Sequence, residues 1–342
     1  MEIILSILAI GVLIVFHEAG HLLVARLSGM EVIRFSIGFG RPLVSMQMKK
    51  SRTVYQLGWM PFGGYVQIKG MNPFEKLSPD DTAEYQNRPL LQRMAVTIGG
   101  SSANLLIGWL MIWVLLSVGR PVPSDEPVVG QVVPDGPAAE AGITAGDRIK
   151  QIGSVETSSW NSLVQHIHMH PEQSLDFKIL KADGSVREVS IKPEKQGTLG
   201  MIGIMPSTKT VRTNPANAFI DAGAETGMII YGMLSGLVSL ASGERDGVQI
   251  VGPVRIIQTA AGSLKGGIRS FLDLMAVISI VLFLFNLLPL PALDGGKLFF
   301  LVLEAVLRRR PDPRIEAYIH TVGFIIIISL IALVSIRELD LI

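Results

Sequence analysis

The residues best suited to chemistry are His17, Glu18, Ala19, Gly20 and His21. On a helix, positions four apart share a face, so both imidazoles can reach one metal ion while Glu18 stands beside it to take a proton from an attacking water. The setting gives this pattern its weight. Residues 1–27 form one apolar run, and about 20 helical residues suffice to cross the hydrocarbon core of a bilayer. Each ionisable side chain at mid-membrane costs on the order of 2.5–3.5 kcal/mol, so three in one apolar helix call for a ligand. A cleaved signal peptide would need a basic start and a small-residue cleavage site, whereas this chain opens with Glu2 and runs straight into the histidines.

Catalytic zinc takes three protein ligands and keeps a fourth position open. The chain has no cysteine, which excludes disulfides, a thiol nucleophile and thiolate ligands, so the third ligand must be His, Asp or Glu. The other apolar runs hold few acids. Asp273 lies near the outer end of the third run, and Asp294 closes it within Asn286, Leu287, Leu288, Pro289, Leu290, Pro291, Ala292, Leu293, Asp294, Gly295, Gly296. If the first run enters from outside, its His17–His21 turn and Asp294 both lie toward the inner side and can meet at one depth. Pro289 and Pro291 break the helix there, and the glycines suit exposed backbone lining a cavity.

The elements that must position these groups follow from apolar length and charge. With 49% hydrophobic and 17% charged residues and a mean hydropathy of +0.44, the chain is too apolar for an ordinary soluble domain, whose charged share is about 25%. A net charge of +1, with no broad basic excess and no RNA-binding or zinc-finger motif, gives no reason to expect nucleic acid as a partner. Spans are predicted at 1–27, 94–118, 271–293 and 318–336. The stretch Thr226 to Ser242 is short and carries Gly232 and Gly236, so an interfacial helix is expected there. Arg26, Arg34, Arg41, Lys49, Lys50, Arg52, Lys69, Lys76, Arg88 and Arg93 lie between the first two spans, and Arg308, Arg309, Arg310 and Arg314 between the last two. Lys and Arg collect in short cytoplasmic loops, which puts both segments inside and residues 120–270 and both termini outside.

Two folded pieces lie between the spans. Residues 53–69 read as a β-hairpin turning at Pro61, Phe62, Gly63 and Gly64, able to re-enter the membrane where protein covers its backbone. Residues 127–194 alternate strands at Val128 to Val133, Arg148 to Ile152, Leu175 to Leu180 and Val186 to Ile191 with helices near Ala138 and Ser159 to His168, a small α+β domain. His166, His168 and His170 read as a solvated helix end, having no carboxylate close in sequence to complete a second metal site. The expected fold is thus a polytopic α-helical membrane protein of about four transmembrane helices, with a membrane-associated hairpin and one extracytoplasmic α+β domain. Its parts are 1–119, 127–194, a linker with an interfacial helix at 195–270, and 271–342.

Taken together, His17 to His21, the run Asn286 to Gly296, the hairpin with Gly63, Gly64, Tyr65 and Val66, and the outside domain resemble the site-2 protease family of intramembrane metalloproteases, in its bacterial regulated-intramembrane-proteolysis branch with one PDZ domain. Gly136, Pro137, Ala138, Ala139, Ala141, Gly142, Ile143 and Gly146 to Ile149 resemble the PDZ pattern of bacterial proteases. The resemblance covers nearly the whole chain. It implies Zn2+ held by His17, His21 and Asp294, with Glu18 as catalytic base. Asn286, Pro289, the hairpin residues Gly63, Gly64, Tyr65 and Val66, and Asn104 would then contact substrate. It implies a bacterial cytoplasmic membrane, lipid and single-span membrane proteins as partners, and an upstream protease that first trims the substrate outside. Gly100, Ser101, Ser102, Ala103 and Asn104 depart from the family pattern in lacking a proline after the glycine.

Overall fold

In the computed structural model, residues 1–47, 52–72, 75, 78, 80–181, 183–243 and 251–339 are described. Lys49, Lys50 and Lys76 of the inner-side charge count lie outside them. The chain divides into two compact units, Met1–Leu115 with Pro215–Ile342, and Leu116–Asn214.

The first unit opens with helix α1, Glu2–Leu27, followed by strands β1, Val32–Gln47, and β2, Val54–Ile68, and helix α2, Leu90–Val118. The expected hairpin at 53–69 takes a different form. Phe35 pairs with both Tyr55 and Val66, Ser36 with both Gln56 and Tyr65, and Ile37 with both Leu57 and Gly64. Residues 32–37 therefore lie between the two arms that the sequence suggested would pair with each other. The outer half of β1, from Pro42 to Gln47, pairs on the far side of 54–58. Glycine permits the folding back: Gly38, Gly40 and Gly63 all have positive φ, and at Gly58 an added Cβ would meet the Phe39 backbone. The β-propensity of Val32 to Phe39 went unread beside the stronger Gly-Gly turn signal. Among the described residues, segment 64–68 has no strand on its other side.

The second unit contains β3 (Arg120–Pro123), β4 (Val129–Val132), α3 (Pro137–Glu140), β5 (Arg148–Ile152), β6 (Val155–Glu156), α4 (Trp160–His168), β7 (Leu175–Leu180), β8 (Val186–Ile191), β9 (Glu194–Gln196), β10 (Leu199–Met201), β11 (Ile204–Pro206) and β12 (Thr208–Val211). The strand order β6-β5-β7-β8 forms its main antiparallel sheet, while β11 pairs with β4 and β12 with β3. The last two pairings carry the unit past both expected bounds, 127 and 194. Its core gathers Val129, Ile149, Ile152, Phe177 and Ile179 from the strands, with Leu163 from α4 and Ile202 from the link before β11. Ser159 caps α4 in a reciprocal pair with Ser162.

The first unit resumes with α5 (Pro215–Ala241), α6 (Pro253–Lys265), α7 (Ile268–Leu287), α8 (Asp294–Leu307) and α9 (Pro313–Glu338). Among the described residues, five helices, α1, α2, α5, α7 and α9, are long and apolar enough to cross a membrane, where four spans were expected. The extra one is α5, 27 residues long, of which Thr226 to Ser242 is only the second half. An added Cβ at Gly227, Gly232 or Gly236 meets nothing within 4 Å. Those glycines lower helix propensity without breaking a helix whose surroundings favour internal hydrogen bonds. The amphipathic helix of the segment is α6, packed through Ala260 against Leu13, Phe271 and Met275. The third expected span, 271–293, ends as a helix at Leu287, and Asp294 begins α8, a 14-residue helix not foreseen.

Candidate metal centre

Helices α1 and α2 pack with almost no side chain between them at the depth of the histidines. A Cβ at Gly20 would collide with the Gly99 carbonyl and lie 2.8 Å from Ala103 Cβ, and one at Gly99 would lie 2.9 Å from Val24 Cγ2. Small residues let helix backbones approach in lipid, and here they bring α2 beneath both imidazoles. A Cβ at Gly100 would fall on His21 Nε2 and lie 2.8 Å from His17 Nε2. Any side chain at position 100 would occupy the space the two nitrogens face.

Asp294 reaches the same point from the other half of the chain. Its Oδ2 lies 3.0 Å from His17 Nε2 and 3.1 Å from His21 Nε2, and the two Nε2 atoms are 3.2 Å apart. A tetrahedral zinc with bonds of about 2.0–2.1 Å holds its ligand atoms about 3.3 Å apart, so the triangle has the size of one face of such a site. The donor chemistry agrees. His21 Nδ1 is 2.7 Å from the Val96 carbonyl, which only an N–H can satisfy, leaving a lone pair on Nε2. Three lone-pair atoms turned toward one another in a buried site require a cation, and these side chains fit zinc.

Asn104 is fully buried, with its amide 3.4 Å from His17 Nδ1. Its Oδ1 has no partner. Its backbone carbonyl accepts from Ser279 Oγ at 2.7 Å, which ties α2 to α7 behind the site. Glu18 is half-buried, and a Cβ at Gly64 would lie 3.5 Å from Glu18 Cγ, so the unpaired strand segment 64–68 begins next to it. Tyr65 stacks on Phe39 with centroids 6.2 Å apart, and its hydroxyl accepts from Gln56 Nε2 at 3.2 Å. Val66 packs with Leu22, Val24 and Met71 around Ala25 and Ile68. Gly63 lies at the bend, and Asn286 and Pro289 lie at the end of α7 and in the turn before Asp294. The structure thus brings His17, His21 and Asp294 together, sets Gly64 beside Glu18, and puts Asn104 behind His17.

Sequence reasoning passed over Val96, which serves the site through its carbonyl, and Gly100, although the Gly99-Gly100 pair inside an apolar span was a visible sign of close approach. It also passed over His320, one polar residue in the apolar run of α9. Its Nδ1 accepts from Ala292 N–H at 2.9 Å.

Two buried histidines one turn apart, a convergent aspartate and a free glutamate beside them, all carried by apolar helices, define a membrane-embedded metalloprotease. The chain belongs to peptidase family M50, whose family model matches residues 5–330, and is a multi-pass zinc metalloprotease of the site-2 protease type. It is similar to a putative zinc metalloprotease of Clostridium perfringens, 31% identical over 99% of this chain and 98% of the relative, and to one of Clostridium acetobutylicum, 29% identical over 98% and 97%. The regulator of sigma-W protease RasP of Bacillus subtilis is 26% identical over 99% of this chain and 98% of its own. Among solved structures, the PDZ domain of an SdrC-like protein from Listeria monocytogenes is 30% identical over 24% of this chain and 88% of its own, with a TM-score of 0.21.

Proposed function

We propose that this protease cuts single-span membrane proteins within or at the edge of the bilayer, after another protease has trimmed them outside. The observation that carries the reading is the placement of the open strand segment 64–68 beside Glu18 and the His17, His21 and Asp294 donor triangle. A peptide bond inside a helix is shielded by the helix's own hydrogen bonds, so the substrate must unwind, and a free strand edge offers its backbone new partners. When bound, zinc polarises the scissile carbonyl as a Lewis acid and acidifies water to a pKa of about 7. Glu18 takes the proton of the attacking water and returns it to the leaving nitrogen. Asn286 and Pro289 border the substrate strand from the end of α7. Asn104, with its amide turned so that Oδ1 accepts from His17 Nδ1–H, holds that imidazole in the tautomer that leaves Nε2 free.

The unit Leu116–Asn214 is proposed as a PDZ domain on the outer side that restricts which substrates enter. Its position in the chain supports this: it lies between apolar helices, apart in sequence from the Arg-rich segments that the charge rule assigns to the inner side. The relation to RasP, named as a regulator of a sigma factor, supports a membrane-anchored regulatory protein as substrate. A bacterial cytoplasmic membrane, with both termini outside, completes the proposal.

The test uses purified full-length protein and a model single-span substrate, with zinc measured alongside cleavage. Glu18→Gln should keep zinc near wild type while turnover falls about 10²- to 10⁴-fold, because one residue serves both proton transfers. Asp294→Ala should lose zinc as well as activity. Near-normal cleavage by Glu18→Gln would sink the mechanism, and full zinc occupancy in Asp294→Ala would sink the ligand assignment.

A further inference from the structure

Asp294 is the first residue of α8, so its position is set by the turn that delivers it, residues 288–293. That turn has few internal constraints. It holds Leu290 N–H to the Leu288 carbonyl at 2.6 Å and Leu293 N–H to the Leu290 carbonyl at 3.3 Å, and neither reaches Ala292, which sits at φ +72°, a left-handed conformation that a residue with a Cβ adopts only when its surroundings enforce it. The surroundings that do so come from α9. His320 Nδ1 accepts the Ala292 N–H at 2.9 Å. One turn on, Gly323 is buried with Pro291 pressed against it, so closely that a Cβ there would overlap the proline ring. On the other side, His320 Cε1 would lie 3.0 Å from a Cβ at Gly296, and the ring packs against Phe300 with centroids 5.8 Å apart. The imidazole is thus wedged between the turn and the first part of α8.

An Nδ1 that accepts an amide N–H carries no proton, so the ring is neutral with its proton on Nε2, and that atom is buried without a partner. The one hydrogen bond that His320 makes in this structure is the one to the turn. A lone imidazole in an otherwise apolar helix is costly, and here a specific backbone contact accounts for it.

From these contacts we infer that His320 is a positioning residue for the metal centre: with the Gly323 seat, it locks residues 288–293 in the conformation that aims Asp294 Oδ2 between His17 and His21. The inference rests on Asp294 as a ligand and goes beyond it by assigning α9, which holds no residue of the donor triangle, the control of ligand geometry. His320 touches neither ion nor substrate, so its removal acts on affinity for the metal through the order of the turn.

Asn and Leu are near-isosteric, and only Asn offers an acceptor at the δ position, which makes His320→Asn and His320→Leu a matched pair. In full-length protein in detergent micelles, zinc affinity is measured by competition with a chromophoric chelator. Because the chain lacks cysteine, a single spin label on Leu290→Cys reports the mobility of the turn. His320→Leu should weaken zinc binding about 10- to 100-fold, as loss of outer-shell support typically does, and free the label. His320→Asn should stay close to wild type on both readouts. Gly323→Ala, which displaces Pro291 without touching His320, should reproduce the Leu phenotype, and it decides the matter should His320→Leu fail to fold. Wild-type affinity and label mobility in both His320→Leu and Gly323→Ala overturn the inference if Asp294→Ala weakens zinc. If Asp294→Ala also leaves zinc unchanged, the ligand assignment itself has failed.

Discussion

Arg93 donates from both terminal nitrogens to the two carboxylate oxygens of Glu304, at 2.9 Å and 2.5 Å. The pair joins the start of α2 to the last part of α8, so the helix that backs the histidines and the helix that begins with Asp294 are fixed to one another. The side chains are 4% and 15% exposed, so each charge depends on the other, with Arg310 as a second partner for Glu304 at 3.3 Å. Planar two-point pairing of this kind fixes orientation as well as distance.

Removing Arg93 leaves Glu304 with the half-exposed Arg310 in place of a buried two-point partner. Arg93→Met should destabilise the protein by about 3–5 kcal/mol, and the double variant with Glu304→Leu should recover much of that loss, because breaking a buried pair costs more than replacing it by apolar groups. Chemical unfolding of the three variants in detergent measures the difference. A loss in the double variant equal to the sum of the losses in Arg93→Met and Glu304→Leu would mean that the pair carries no coupling.

Gly100 gives a sharper test of the site. Gly100→Ala puts a methyl group where His21 Nε2 lies and 2.8 Å from His17 Nε2, so zinc affinity should fall at least about tenfold although no ligand is altered. Gly227→Ala is the control, since an added Cβ there meets nothing within 4 Å. It should leave zinc untouched and raise stability by about 0.4–1 kcal/mol through helix propensity. Undiminished zinc affinity in Gly100→Ala would show that the helices part more readily than their packing implies.

Tyr85, just before α2, supplies a pH test outside the membrane-spanning helices. Burial pushes its phenol up to about 12 from an ordinary 10, with the hydrogen bond from Thr97 opposing the shift. Between those values the unfolded chain releases this proton and the folded protein keeps it. The contribution of Tyr85 is therefore complete below pH 10 and is lost as pH rises through 12. Stability of the wild type should fall more steeply than that of Tyr85→Phe over this interval, as read by unfolding midpoints at stepped pH. Parallel curves would place the phenol in water.

Most of the donor set was legible because its cost is: ionisable groups in apolar runs mark themselves, and Pro289, Pro291 and the two glycines marked where Asp294 would emerge. The strands at Arg148–Ile152, Leu175–Leu180 and Val186–Ile191 were readable residue for residue from their alternation. What did not show was pairing over distance. Nothing local says that 32–37 inserts between 54–58 and 64–68, because register is set by partners and not by propensity. Asn104 carried a polar signal in span two without direction, and its place behind His17 showed only once the helices were packed. His320 and Val96 act through single backbone contacts, which leave no trace in composition.

The final prediction concerns α5, whose length and hydropathy suit a crossing. Helix α2 runs antiparallel to α1, since Val96 and Gly100 near its start meet His21 while Ile107 and Met111 pack beside Leu13. Helix α7 runs parallel to α1, with Phe271 and Met275 beside Leu13 and the Asp294 turn at the far end. The end of α2 and the start of α7 therefore lie on one side of the membrane, and the chain between them must cross an even number of times. Only α5 is long enough in that interval, as α6 has 13 residues where about 20 are needed. One crossing by α5 alone breaks the parity, so α5 should lie along the outer half of the helices, held by Phe219 against Trp109 with centroids 4.3 Å apart. Single cysteines at Asp183, Ser242 and Asp312 with a membrane-impermeant maleimide on intact cells test this. Ser242→Cys and Asp183→Cys should label from outside, and Asp312→Cys only after permeabilisation. Protection of Ser242→Cys until permeabilisation would mean that α5 crosses.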